Sequence, residues 1–359
     1  MNPYLSTTRI KLAVYSILAA LSLSMVPPNH STIFQDDKEL TGAGSSFDYP
    51  LFTKMFAQYN SDKGVKVNYQ SVGSGAGISQ LTAKTVDFGA TDAPMNPKQD
   101  SALSAPVVHI PVTAGAVVIS YNLPEIKGML QLTPAVLADI FMGTITSWND
   151  SKIATINPGI KLPATPIVVA HRSDGSGTTN IFTTYLSKVS DTWNTKIGKG
   201  SAINWPAGLG GKGNEGVAGL VKQTPGAVGY IELAYAIQNA MPYAKVQNKA
   251  GVFIEPSTAS ITAAANIPIP ADSKVSLTNT DARDGYPISG FSWVAIYKEQ
   301  NYNSRTKGKS ANLVNLITWM IHDGQKFSND LNYAPLSPAA VKAGDALLKS
   351  VTYDGKPIL

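Results

Sequence analysis

Thr165-Pro-Ile-Val-Val-Ala-His-Arg-Ser-Asp-Gly-Ser-Gly-Thr-Thr-Asn-Ile-Phe-Thr-Thr-Tyr-Leu-Ser-Lys-Val189 is the stretch that decides the fold. Its first part, Thr165 to Ala170, is rich in β-branched residues and reads as a strand. Its last part, Thr178 to Val189, reads as a helix. Between them lies the turn Asp174-Gly-Ser-Gly-Thr-Thr179. A strand that passes through a short glycine turn into a helix is the building unit of an α/β protein.

Two other turns repeat that chemistry. Gly73-Ser-Gly-Ala-Gly77 follows the alternating strand Lys66 to Val72 and precedes a helix from Ile78 to Lys84. Gly42-Ala-Gly-Ser-Ser-Phe47 precedes a helix from Pro50 to Asn60, whose apolar face is Leu51, Phe52, Met55 and Phe56. A helix start presents unpaired N–H groups and a partial positive charge, so it is a natural seat for an anion. Glycine lets the main chain come close, and serine or threonine adds a hydroxyl donor. Three such turns, with Arg172 beside one of them, suggest convergence on a small oxyanion.

The alternation continues along the chain. Val86 to Asp92 reads as a strand that ends on a carboxylate, and Val107 to Ile110 and Ala116 to Tyr121 as two further strands. Pro134 to Met142 reads as a helix, Gly216 to Thr224 as another, and Ala227 to Ile231 as a strand. Phe291 to Tyr297 is strand-like; Ala311 to His322 and Pro338 to Lys349 are helical. The expected class is α/β with mainly parallel sheets, which bind ligands outside the carboxyl ends of their strands. Because the turns fall in the first and middle thirds, one pocket fed by all of them needs two lobes that face each other.

A chain of 359 residues, 43% hydrophobic and 15% charged, fits two globular domains. Its net charge of +5 includes Arg9 and Lys11 at the N-terminus, and subtracting them leaves +3. With no basic run interleaved with aromatics, nucleic acid is not an expected partner. The absence of cysteine excludes disulfides, thiolate metal sites, a cysteine nucleophile and a lipid anchor on cysteine. The four histidines lack metal-ligand spacing, so neither a metal nor a cofactor is expected. Arg9 and Lys11 followed by the uncharged run Leu12 to Val26 read as a secretory signal. Residues 1–37 are therefore assigned to a signal peptide and linker, cleaved near residue 24, and the mature protein to the periplasm.

Nucleotide motifs do not close. Gly73-Ser-Gly-Ala-Gly77 misses the third glycine of the dinucleotide pattern, and Gly208-Leu-Gly-Gly-Lys-Gly213 lacks the spacing of a triphosphate loop. A serine hydrolase would place its nucleophile on a G-x-S-x-G elbow, but Ser74 and Ser176 have Val72 and Asp174 where the first glycine belongs. A secreted hydrolase or phosphatase using Ser176 and His171 stays as one alternative. A secreted adhesion protein is another, with Arg305-Thr-Lys-Gly-Lys309 as a contact loop; the plainer reading of that loop is a solvated one. Arg172 offers a planar fork suited to two oxygens of an oxyanion, and Asp174 is a ready ion-pair partner. Asp92 in the pocket would repel any anion without a proton, so it would favour phosphate over sulfate.

These motifs together resemble the periplasmic phosphate-binding proteins of bacterial phosphate-specific ABC transporters. The resemblance runs from about Leu40 to Leu359 and rests on five quoted blocks: Leu40 to Phe47, Val65 to Gln70, Val86 to Pro94, Arg172 to Thr178 and Trp205 to Asn214. Pro225 to Ile231 and Asn332 to Leu336 add to it. It implies a two-lobed periplasmic-binding-protein fold with a hinge and two chain crossovers, lobe one being 38–112 plus 284–359 and lobe two 113–283. It implies no catalysis and a monomer that delivers inorganic phosphate to membrane permease subunits with their ATPase. Carried over residue by residue, Ser46 donates through backbone and hydroxyl, Phe47 through its N–H, and Ser74 from the second turn. Asp92 accepts the ligand's proton, while Arg172, Ser176, Gly177 and Thr178 bind from the second lobe and Asp174 holds the guanidinium. Ser46 stands where the family usually has threonine, a change that keeps the hydroxyl.

Overall fold

The computed structural model describes residues 37–359; the export segment expected before them, with its cut near residue 24, lies outside the described residues. Eight strands form one sheet: β1 (Glu39–Gly44), β2 (Lys66–Ser71), β3 (Phe88–Thr91), β4 (Val107–Tyr121), β5 (Val168–Arg172), β6 (Leu209–Gly211), β7 (Ala227–Glu232) and β8 (Ser289–Tyr297). Their order across the sheet is β2-β1-β3-β8-β4-β7-β5-β6. The two wings are parallel, as expected: β1 pairs with β2 and β3, and β5 with β6 and β7. The centre is not, because β8 runs antiparallel to both β3 and β4, and β4 antiparallel to β7.

β4 is the structural seam. The sequence reads as two strands there, Val107 to Ile110 and Ala116 to Tyr121, yet the chain runs extended through all fifteen residues, Pro111 included. Val107 to Ala116 pair with β8, and Val117 to Tyr121 with β7. Proline has no N–H for the ladder. The sheet passes it through a register shift: Trp293 faces Pro111 and Ser292 faces Thr113, so Val112 of β4 is the extra, unpaired residue.

Helices follow the strands of both wings: α1 (Tyr49–Lys63), α2 (Ser74–Thr82), α3 (Gly177–Val189) and α4 (Gly213–Gln223). α1 buries Leu51, Phe52, Met55, Phe56 and Tyr59, the face its spacing predicts plus one. Each such aromatic contributes about 2 kcal/mol of burial. α2 begins at Ser74 rather than Ile78, so the Gly/Ser turn is itself the helix start. On the other wing Phe182 of α3 stacks on Tyr230 of β7 at 4.5 Å, and Trp205 stacks on the same ring at 5.4 Å. That aromatic block sits beneath the end of β5.

The basic segment from Arg305 to Lys309 corrects its expectation. It is not a solvated loop: Arg305 and Lys309 are both buried around the buried Asp87. Arg305 pairs with one carboxylate oxygen, and Lys309 Nζ lies 3.4 Å from the other. The Thr41 N–H donates to that second oxygen at 2.6 Å. The cluster ties the helix α5 (Lys307–Ile321) to the sheet, because two buried cations require the carboxylate between them. Among the described residues no helix is long and apolar enough to cross a membrane.

Candidate functional site

The three Gly/Ser turns meet. Ser46, Ser74, Asp92, Arg172, Ser176 and Thr178 are all buried. Hydrogen bonds made by Ser46 and Ser74 cross between the two wings of the sheet, whereas the Ser176 hydroxyl bonds within its own helix start. The Gly177 N–H, at the start of α3, donates to Ser74 Oγ at 3.1 Å. The Gly75 N–H donates to the Gly175 carbonyl at 2.8 Å. Only glycine permits this approach: a β-carbon on Gly177 would stand 2.5 Å from Asp92 Oδ2 and 2.6 Å from Ser74 Oγ. Gly73, at φ 89, holds the backbone in a form that other residues resist.

Arg172 ends β5 and is fixed on three sides. Its N–H donates to the Tyr230 hydroxyl at 3.0 Å, so the aromatic block sets the strand end. Nε and NH2 donate to the two oxygens of Asp174 at 2.7 and 2.5 Å. NH1 donates to Thr178 Oγ1 at 3.3 Å. Asp174 also accepts from the Gly213 N–H at 3.2 Å. Ser176 caps α3, accepting from the Thr179 N–H at 3.0 Å. His171 Nδ1 lies 3.0 Å from the Arg172 carbonyl and its ring stacks on Trp205, and no hydrogen bond joins it to Ser176.

The opposite wall comes from β1, α1 and β3. Ser46 Oγ accepts from both Asn214 N–H and Asn214 Nδ2, each at 3.0 Å, and the same amide donates to Thr178 Oγ1 at 3.1 Å. As acceptors of these bonds, Ser46 and Thr178 each keep a hydroxyl hydrogen to offer to an anion. The Phe47 N–H, expected to face a ligand, donates here to Ser45 Oγ at 2.9 Å. The Phe47 ring lies in the core, edge-on to Tyr333 at 6.4 Å.

Asp92 is the acceptor in this ring of donors. Ser45 Oγ donates to Oδ2 at 2.6 Å and Ser74 Oγ to the same oxygen at 3.4 Å. Ser292 Oγ lies 2.8 Å from Oδ1. Burial pushes its carboxyl up to about 6, while the hydroxyls of Ser45, Ser292 and Ser74 and the charge of Arg172 pull against that rise. With Arg172 already paired by Asp174, Asp92 is a second carboxylate beside a single guanidinium.

The sequence reading did not single out Asn214, Ser45, Asp48, Ser292 or Glu232. Asn214 ends a block quoted only for the family resemblance, and its amide side chain was the available signal. Glu232, fully buried beside Tyr333, has its carboxyl raised well above the ordinary glutamate value by burial.

Comparison with known proteins places this geometry in context. Residues 30–323 match the model of the PBP superfamily domain. The phosphate-binding protein PstS of Xylella fastidiosa is 44% identical over 312 residues, covering 86% of this chain and 84% of that one. The PstS protein of Haemophilus influenzae is 43% identical, over 86% of this chain and 91% of its own. Among solved structures, a high affinity periplasmic phosphate-binding protein (PfluDING) bound with phosphate superposes with a TM-score of 0.67 at 19% identity, covering 89% of this chain and 100% of that one. This last likeness is one of fold, the two-lobed α/β arrangement.

Proposed function

The chain belongs to the PBP superfamily and, within it, to the PstS phosphate-binding proteins, and on that premise we propose that it captures inorganic phosphate between two closing lobes and delivers it to an ABC-type importer. The observation that carries this reading is the convergence of Arg172, Ser46, Ser74, Thr178 and the Gly177 N–H on one buried spot beside Asp92. The lobes are 38–112 with 284–359, and 113–283. The change of partner along β4 between Ala116 and Val117 supports that division.

Capture is a matter of positioning. Donors fixed before the ligand arrives need little reorganisation, and the exclusion of water strengthens each charge-assisted bond. Opening parts the two walls at the Gly177–Ser74 and Gly75–Gly175 contacts, phosphate enters, and hinge closure completes its shell. The ligand shell is Ser46, Phe47, Ser74, Asp92, Arg172, Ser176, Gly177 and Thr178. The Phe47 N–H turns from Ser45 to the ligand as the shell forms. Scavenging at about micromolar phosphate requires roughly 8 kcal/mol of binding free energy. Hydrogen bonds to a charged ligand at about 1.5–3 kcal/mol each are ample for that after desolvation.

No bond is made or broken, so the protein acts as a carrier, without cofactor and as a monomer. Its export to the periplasm and its docking on permease subunits with their ATPase belong to the same reading. Titration calorimetry of the mature protein with phosphate and with sulfate tests it. Tight phosphate binding with weak sulfate binding is expected; equal affinity for both, or for neither, rules it out.

A further inference from the structure

Ser292 lies between two carboxyl groups, only one of which the capture of phosphate uses. Its Oγ is 2.6 Å from Asp48 Oδ2 and 2.8 Å from Asp92 Oδ1, and all three residues are buried. Each of these short oxygen–oxygen contacts needs a hydrogen within it, and a serine hydroxyl brings one. The other hydrogen has to come from a carboxylic acid. One of the two aspartates is therefore protonated.

The surroundings decide which. Asp92 has the hydroxyls of Ser45 and Ser74 and the facing charge of Arg172 to stabilise its anion. Beyond Ser292, Asp48 has the Tyr69 hydroxyl at 3.4 Å, and that hydroxyl already donates to the Ser45 carbonyl at 2.7 Å. Nor does Asp48 cap α1 with its side chain, although it stands at the cap position. Burial and the Asp92 charge hold its carboxyl well above the usual aspartate range. The other ionisable groups that face the pair are Tyr69 on β2, Tyr235, Tyr333 and Glu232. Burial raises all four: the three tyrosines stay uncharged near neutrality, and the Glu232 carboxyl is held well above the ordinary glutamate value.

We propose that Asp48 is a positioning residue for the ligand: its acid hydrogen is donated to Ser292, the Ser292 hydroxyl donates to Asp92, and Asp92 is thereby kept as an acceptor that takes only a protonated oxyanion. This inference rests on the phosphate reading. Loss of the Asp48 proton at high pH would set two anions on either side of one hydroxyl and weaken binding.

Wild type, Asp48→Asn and Ser292→Ala are titrated with inorganic phosphate from pH 6 to 9. The asparagine amide donates as the acid does but cannot ionise. Asp48→Asn is thus expected to bind within about threefold of wild type at pH 7 and to lose the alkaline decline, whereas Ser292→Ala weakens binding by about tenfold. Tightening of roughly tenfold in Asp48→Asn would show that wild-type Asp48 is charged, and would overturn the proposal. A second measurement needs no ligand. In protein carrying carbon-13 aspartate, one carboxyl resonance is expected to remain in its protonated position at pH 7 and to vanish in Asp48→Asn. Its absence from wild type overturns the proposal. If wild type binds no phosphate, the functional reading fails, and the carboxyl resonance still decides where the proton sits.

Discussion

Asp174 grips Arg172 by one edge of the guanidinium plane, accepting Nε at 2.7 Å on one oxygen and NH2 at 2.5 Å on the other. The remaining nitrogen is left facing Thr178. A planar fork held at two points cannot rotate away, so the positive charge is aimed before any ligand arrives.

Arg172→Ala is expected to weaken phosphate binding by about 3 kcal/mol, roughly a hundredfold in Kd, because it leaves a buried anion without its partner. Arg172→Lys should recover only part of this, since an ammonium cannot be held by both Asp174 oxygens and still reach the ligand. Calorimetry on both variants measures it. Unchanged affinity in the alanine variant would place the guanidinium outside the ligand's shell.

Burial pushes the Asp174 carboxyl up, but the hydrogen bonds and charge of Arg172 and the Gly213 N–H outweigh that and hold it below the ordinary value. A carboxylate lowered in the folded state stabilises the protein above its unfolded value of about 4, and that stabilisation fades as pH falls through the lowered value. Asp174→Asn should therefore melt below wild type at pH 7 and approach it near pH 2. Thermal melts across that range decide; a gap that stays constant would mean that shape, not charge, is at stake.

Asp92→Asn should narrow the gap between phosphate and sulfate by about tenfold or more. An asparagine amide can donate to a bare sulfate oxygen, whereas a carboxylate repels it. Paired titrations with both anions test this, and an undiminished preference would assign selectivity elsewhere.

In Gly177→Ala the new β-carbon would fall 2.5 Å from Asp92 Oδ2, too close for the walls to meet. Alanine at a helix start is otherwise harmless, so the fold should persist while affinity drops by about a hundredfold. Small-angle scattering would check it: wild type should become more compact on adding phosphate, and the variant should not.

The Gly/Ser turns were legible because glycine and helix-capping chemistry act locally: Ser176 caps α3 as its neighbours predict, and Asp174 holds Arg172 from two residues away. The roles of Asp48 and Ser292 were not, since their contact spans 244 residues of chain and depends on the register of β8 against β4. The same holds for Asn214, which reaches Ser46 across 168 residues. The continuity of β4 through Pro111 was hidden for a related reason. The effect of a proline on a strand is set by the pairing with the neighbouring strand, and here a bulge at Val112, opposite Ser292 and Trp293, lets the ladder continue.

That ladder has a bearing on how the molecule comes apart. Since β4 is hydrogen-bonded to β8 along one stretch and to β7 along the next, stripping either neighbour removes support from a rod that the other needs. The halves proposed to swing as separate bodies around phosphate should nevertheless melt as one, in a single calorimetric peak.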